Sequence, residues 1–479
     1  MQTKLKKFLP FAAFFLLFFV NLLVALHHEA WRDEAQAWLL AKHTSLPELF
    51  SLLPSEGHPC LWFLLLKLLV SLGLPFSALW CVSLAVTSLA AALLLWKAPF
   101  PAPCRALLLC SNLFLYYDPV IPRVYCLAAL LCVCVAVFAP GRLSRPGRYL
   151  IFVALLFQTH VVLFGFAGGL MLEYAISAWR EDRKKLPWLL LPLFSLVLSF
   201  LELHKSSSAG DARGTSLADL FAGVRENLAS AGSTLRTLFG RYIGLYGHDA
   251  LAAALLAGTL AVFLLYVLLI LRKKQLAACG ALLLALLCGI GWIVFVNLFV
   301  YQTAIHTDVC LTAILLASAW MLFSVQAPPL RRCTLALALV FSLLSAKNAV
   351  SMSLFDLSGS YSGSREMASY MAAEVEEGSL VLLGNDPYCT APVAYLEDLR
   401  PDLVFRNAEK DKPYTYYDWA DAGQEDAGAL SASLAEAQDG PVYLLSPAPL
   451  DAEGLTLVKA CTAEDIHSSG ESFYLYLCA

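Results

Sequence analysis

The stretch KKFLPFAAFFLLFFVNLLVALHHEAWRDEAQAW, residues 6–38, decides how the rest of the chain is read. Lys6 and Lys7 precede a run from Phe8 to Leu26 that is apolar but for Asn21, long enough to cross about 30 Å of hydrocarbon. The run exceeds the apolar core of a signal peptide, and no small-residue cleavage site stands before His27-His28, so it reads as a retained anchor. Asp33 and Glu34 therefore sit directly beyond a bilayer. Carboxylates at that depth have no packing role and need water, a cation or a polar substrate.

Composition extends the reading to the whole chain. Of 479 residues, 59% are hydrophobic and 15% charged, and the mean hydropathy is +0.67. A soluble protein carries about 25% charged residues. The apolar residues recur in stretches long enough to span, so the chain is an α-helical polytopic membrane protein. A net charge of −4 excludes a strongly basic nucleic-acid binder. Most of the 14 cysteines lie inside apolar runs, as Cys132, Cys134, Cys279 and Cys288 do, and behave there as small apolar residues. No Cys-x-x-Cys or zinc-type Cys/His spacing occurs. Cys389, Cys461 and Cys478 fall in the tail, where a pairing among them stays open.

Basic residues in short loops set the orientation. Lys4, Lys6 and Lys7 place the N-terminus in the cytoplasm, and Arg142/Arg145/Arg148, Arg180/Arg183/Lys184/Lys185, Arg272/Lys273/Lys274 and Arg331/Arg332 mark further cytoplasmic turns. The stretch 149–179, basic at both ends, goes out and returns as two short helices with His160 near the outer turn. Crossings follow at 186–203, 251–271, 276–300, 309–325 and 333–350. Four apolar pieces lie between Pro59 and Phe138: 59–74, 76–96, 104–117 and 122–139. An odd number must cross, and the short piece 59–74, which carries Lys67, reads as interfacial or re-entrant. The count is about eleven transmembrane helices. Residues 1–353 form the membrane domain, with outer loops at 27–75 and 204–249, and residues 354–479 an extracytoplasmic domain. Asp33, Glu34, Glu56, His58, Asp118, Arg123, His160, His306 and Asp308 then share one side of the membrane.

Past Leu354 the pattern changes. Ser364–Glu377 has helical spacing, 379–383 reads as a buried strand, 392–396 as a helix, 402–405 and 441–445 as strands, 430–438 as a helix and 473–478 as a last strand. Alternation of this kind predicts a small α/β domain. In loop 204–249 Arg213, Arg225, Arg236 and Arg241 punctuate a Ser/Gly/Ala-rich sequence, which reads as interfacial helices over the outer mouth.

The candidate site residues come from separate turns. Asp33 is placed to take a proton from an acceptor hydroxyl, as a general base within hydrogen-bond reach of a nucleophile, and also to cap the helix that follows. Glu34 is either a second carboxylate for a divalent cation or a solvated neighbour. Trp31 and Trp38 are sugar-stacking rings or interfacial anchors. Glu56 and His58 bracket Gly57, a turn able to aim both inward. Arg123, beside Tyr125, offers a fixed guanidinium to a lipid-linked phosphate, or else snorkels to the interface. His160 and His306 are each candidates for contact with phosphate or acceptor.

Arg32-Asp-Glu-Ala-Gln-Ala-Trp38, Glu56-Gly-His-Pro-Cys-Leu-Trp62, Arg123-Val-Tyr125 and Gln158-Thr-His160 together resemble bacterial membrane glycosyltransferases of the GT-C superfamily. The resemblance is to the class with an acidic first outer loop, which includes protein mannosyltransferases and lipid A aminoarabinose transferases. It covers roughly residues 1–350 and is most specific at the first loop. It implies a GT-C-like fold and a polyprenyl-phosphate-linked sugar donor. The reaction implied is an inverting transfer to an extracytoplasmic glycan, lipid or protein, with Asp33 as base. The chain departs from the pattern at Ala304-Ile-His-Thr-Asp308, where an Arg often accompanies the His, so Arg123 or a loop arginine must carry more of the phosphate binding. No outer loop holds Asp-x-Asp, so metal use is unassigned and a divalent cation stays open. The competing readings are a lipid-linked glycan transporter or flippase, which would place its charges nearer the midplane and show paired repeats, and a glycan polymerase or ligase.

Overall fold

The computed structural model describes residues 2–204, 229–407, 412–417, 440–464 and 471–478. Arg213, Arg225 and the helix expected at 430–438 lie outside them. In chain order the helices are α1 (Gln2–His27), α2 (Arg32–His43), α3 (Leu46–Glu56), α4 (Leu61–Ser71), α5 (Trp80–Lys97), α6 (Ala102–Leu108), α7 (Asp118–Val120), α8 (Tyr125–Phe138), α9 (Pro146–Phe157), α10 (Phe164–Glu181), α11 (Leu190–Leu203), α12 (Ala231–Tyr242), α13 (Asp249–Arg272), α14 (Leu276–Phe299), α15 (Ile305–Val325), α16 (Pro328–Ser358), α17 (Ser364–Glu374) and α18 (Asp386–Leu399).

Among the described residues, eight helical segments are long and apolar enough to cross a membrane: 8–27, 76–97, 161–181, 183–203, 249–272, 276–299, 305–325 and 328–358. Shorter apolar helices at 61–71, 125–141 and 146–157 accompany them, and the chain is a multi-pass membrane protein. The segment at 59–74 is short, as its sequence predicts. The stretch 104–117 is not one continuous helix. It breaks after α6 at Cys110-Ser111 and resumes as one wide π-type turn over Leu113–Tyr117, which runs straight into α7. α16 continues unbroken to Ser358, beyond the predicted domain boundary at 353.

Two glycines set the approach of α10 to α14. A Cβ on Gly165 would lie 2.1 Å from Trp292 Cβ, and one on Gly169 would lie 2.6 Å from Ala285 Cα. Small residues let membrane helices meet backbone to backbone, where dispersion replaces the hydrophobic effect as the packing force. Trp292 Nε1 then donates to the Val161 carbonyl at 2.7 Å, which fixes the break beside His160.

The C-terminal domain is a six-stranded sheet in the order β3-β2-β1-β4-β6-β5. Its strands are β1 (Leu380–Leu383), β2 (Val404–Asn407), β3 (Lys412–Pro413), β4 (Val442–Ser446), β5 (Leu455–Cys461) and β6 (Phe473–Cys478). β2, β1 and β4 run parallel, while β3, β6 and β5 pair antiparallel with their neighbours. β1 and β4 are buried along their length, which is why Leu-Val-Leu-Leu and Val-Tyr-Leu-Leu read as continuous apolar runs. The crossover helix between β1 and β2 is α18, which is longer than the predicted 392–396 segment. The edge strands β3 and β5 have no counterpart in the sequence reading. All fourteen cysteines are free, so Cys389, Cys461 and Cys478 do not pair; the Cys389 thiol instead donates to the carbonyls of Gly384 and Leu445, each at 3.3 Å.

Candidate active site

The site is built around the first turn of α2. Trp31 is its N-cap, and Arg32, Asp33 and Glu34 are the first three helical residues. A helix start leaves backbone N–H groups without intrahelical partners. Glu34 supplies one of them, reaching back so that Trp31 N–H donates to its Oε2 at 3.0 Å. Asp33, offered by the sequence as the cap, is therefore not the cap. Its Oδ1 accepts from Arg32 Nε at 3.2 Å, and its Oδ2 accepts from Arg123 Nη1.

Arg123 comes from the turn between α7 and α8. Its Nη2 lies 3.4 Å from His58 Nε2, and its guanidinium carbon stands 6.0 Å from the Trp31 ring and 5.8 Å from the Tyr125 ring. His58 is delivered by Gly57, which ends α3 at a φ of +72° that a side chain would oppose. The His58 ring meets His160 with centroids 4.7 Å apart, and Tyr125 lies 5.3 Å from His160 and 5.6 Å from His306. His306, in the first turn of α15, closes the ring of contacts by packing 5.5 Å from Trp31. Tyr125 is held by a hydroxyl contact of 2.9 Å with Thr307, and His160 accepts the Val162 N–H at Nδ1, 3.2 Å away.

Asp33, His58, Arg123, Tyr125, His160 and His306 thus come together from five separate turns. Burial alone would raise the Asp33 carboxyl, but Arg123 and then Arg32 hold it well below the usual carboxylate range. Burial, reinforced by Arg123, pushes His58 down to about 3, so its imidazole is neutral. The Asp33 side chain stays 22% exposed, enough to be reached. The chemical capacity is an ionised carboxylate and a guanidinium in contact, walled by neutral imidazole and aromatic rings.

Three named candidates, Glu34, Glu56 and Trp38, face elsewhere. Glu34 is fully buried beneath α2, where its Oε1 lies 3.4 Å from His28 Nε2, so the solvated reading does not describe it. His28 in turn contacts Asp356 at 3.0 Å, and Tyr116 donates to the same carboxylate at 2.8 Å. Glu56 accepts from Gln36 Nε2 at 3.0 Å, which ties α3 to α2. Gln158 is structural as well: its amide nitrogen donates to Ser199 Oγ at 2.7 Å and to the Ser195 carbonyl at 3.0 Å, anchoring the His160 turn to α11. Trp38 packs on Phe76 in the interior rather than against a ligand, and Asp118 is buried with neither carboxylate oxygen hydrogen-bonded.

Asp308 is clamped by Arg241 of loop 204–249, which donates to both carboxylate oxygens, while Thr303 Oγ1 donates at 2.9 Å. Sequence reasoning missed Arg32, although its adjacency to Asp33 was visible. It also missed the Arg241–Asp308 pairing, whose partners lie 67 positions apart. Among the described residues, no group of three or more His, Cys, Asp or Glu side chains is placed to hold a metal ion.

No family model and no curated protein matches the chain. Among solved structures, it is similar to the crystal structure of ArnT from Cupriavidus metallidurans bound to undecaprenyl phosphate. The two are 10% identical, the match covers 98% of this chain and 97% of that one, and the TM-score is 0.49.

Proposed function

We propose that this chain is a membrane glycosyltransferase of the GT-C type. It would move a sugar from a polyprenyl-phosphate donor to an extracytoplasmic acceptor, with its N-terminus cytoplasmic and its C-terminal domain outside. The single observation that carries the reading is the contact between Asp33 and Arg123 inside a wall of His58, His160, His306, Tyr125 and Trp31. Transfer from a lipid phosphate needs a base for the acceptor hydroxyl and a cation for the departing phosphate, and this site offers both.

In the resting site each partner neutralises the other. An arriving donor phosphate takes up Arg123 and leaves Asp33 Oδ2 open to the acceptor hydroxyl. Asp33 removes the hydroxyl proton as the oxygen attacks the anomeric carbon from the face opposite the phosphate. The bond between that carbon and the phosphate oxygen breaks, its electron pair leaves with the polyprenyl phosphate, and the new glycoside has inverted configuration. Arg123 meets the charge on the leaving oxygen, where a preorganised charge is worth most. His306 and His160, lying against Tyr125, are placed to contact phosphate or acceptor.

The test is release of labelled sugar from a panel of polyprenyl-phosphate sugars by the purified protein in detergent, where no gradient exists for a transporter to use. Turnover that vanishes in Asp33→Asn supports the reading. Undiminished turnover in that variant removes it.

A further inference from the structure

We propose that Glu471, from the C-terminal domain, is a positioning residue for Asp33, and that this domain is in that sense part of the site. The inference rests on the reading of Asp33 as base. It starts from the N–H groups at the beginning of α2. Glu34 takes that of Trp31, and Glu471 takes that of Arg32, with its two carboxylate oxygens 3.2 and 3.1 Å from the nitrogen. With these two amides served by neighbours, Asp33 is left turned toward Arg123.

Glu471 is itself fixed. It pairs with Ser362 as an isolated parallel bridge, its carbonyl accepts the Gly363 N–H at 2.9 Å, and Ser362 Oγ donates to its Oε2 at 3.3 Å. Gly363 has no room for a side chain, since a Cβ there would lie 2.7 Å from the Cys461 carbonyl oxygen. The side chain of Arg32 is held by the same domain, its guanidinium lying 4.6 Å over the Tyr388 ring at the start of α18. The domain also grips both flanks of this turn. Ser364 Oγ donates to the Ala30 carbonyl at 2.6 Å, and Gln36 Nε2 donates to the Tyr417 carbonyl at 2.7 Å. Residue 32 is thus located by its backbone and by its side chain, and Asp33 follows it covalently. Burial pushes the Glu471 carboxyl up to about 8, so at neutral pH it is the uncharged acid, for which glutamine is a near match in shape.

The experiment uses the full chain in detergent. In Glu471→Ala, backbone hydrogen exchange over residues 32–36 rises, and kcat for transfer from the labelled polyprenyl-phosphate sugar falls about 10-fold or more, because small misplacements of a reacting group are costly. The KM for that donor moves less than about twofold, since Arg123 is untouched. Glu471→Gln keeps an acceptor for the Arg32 amide and stays within about threefold of the parent in both readings. If Glu471→Ala does not fold, Glu471→Asp, whose shorter arm withdraws the acceptor, takes its place with the same expectation. Unchanged kcat in Glu471→Ala beside an inactive Asp33→Asn overturns the positioning role alone, as does a Glu471→Gln protein as impaired as Glu471→Ala. Parental turnover in Asp33→Asn overturns the underlying reading instead.

Discussion

The first turns of α2 and α15 are built alike and differ in one respect. Each carries an aspartate whose partner is an arginine from a distant turn: Arg123 for Asp33 and Arg241 for Asp308. Asp308 is sealed, with a side chain 1% exposed and both oxygens clamped by one guanidinium, plus a donated hydroxyl from Thr303. Asp33 divides its oxygens between two arginines, remains 22% exposed and faces imidazole and aromatic rings. A saturated ion pair locks loops together, whereas a pair open on one side can exchange partners. The difference lies in the surroundings, because the acid–arginine pairing is common to both.

The largest expected effect separates the two aspartates. Asp33→Asn lowers kcat for transfer by about 10²–10⁴-fold, the usual worth of a general base, with the thermal midpoint little changed. Asp308→Asn breaks a buried pair and costs about 3–5 kcal/mol of stability, read as a lowered midpoint, while transfer per folded molecule persists. Equal loss of turnover in the two variants would erase the distinction.

Next come the arginines. Arg123→Ala raises the donor KM by about 10–100-fold, matching the loss of a charged hydrogen bond worth about 1.5–3 kcal/mol, and lowers kcat as well, since the same guanidinium meets the leaving-group charge. Arg241→Ala shifts the melting midpoint instead. Because Asp33 is held below the usual carboxylate range, it stays ionised through mildly acidic conditions, so kcat/KM shows no acid limb from this group down to about pH 5.

A third test reads the underside of α2. Burial opposes charge on His28, but Asp356 and Glu34 outweigh it and push the imidazole up to about 10. A raised histidine contributes stability that is complete below its ordinary value of about 6.5 and is lost as pH climbs through the folded value. Burial, which lowers His28, raises Glu34, and a raised carboxyl also contributes stability that is lost as pH climbs. The thermal midpoint therefore falls between neutral pH and about pH 10, and His28→Gln flattens that slope. The smallest effect joins the starts of α8 and α15. Tyr125→Phe removes the contact with Thr307, costs about 1 kcal/mol of stability and changes turnover by only a few-fold.

Much of this was legible in the chain. Long apolar runs such as 8–26 and 251–271 announce spanning helices, and basic turns sort the polar residues by side. That sorting puts Asp33, Glu34, Glu56, His58, Asp118, Arg123, His160, His306 and Asp308 in one group, without separating the five that meet at the site from the four that face elsewhere. What escaped follows from geometry that sequence does not carry. Adjacent residues on a helix point about 100° apart, so Asp33 and Glu34 look equivalent in the sequence yet face an open site and a buried histidine. Apolarity at 104–117 hides the break at Cys110-Ser111, because composition does not record which backbone amides find partners. β5 is an edge strand, exposed along most of its length, and its Leu-Thr-Leu-Val-Lys-Ala-Cys pattern gives a weak period-two signal. Arg241 was noted only as one of several loop arginines, since nothing local ties it to a residue 67 positions away.

β6 lies between β4 and β5 in the sheet yet is translated after both. A nascent chain can thus have every membrane helix inserted while the slot for its central-right strand stands empty and Arg32 still lacks its distant carboxylate. On the proposed reading, a ribosome stalling before codon 471 would leave the membrane helices inserted but the Arg32 amide without the group that meets it.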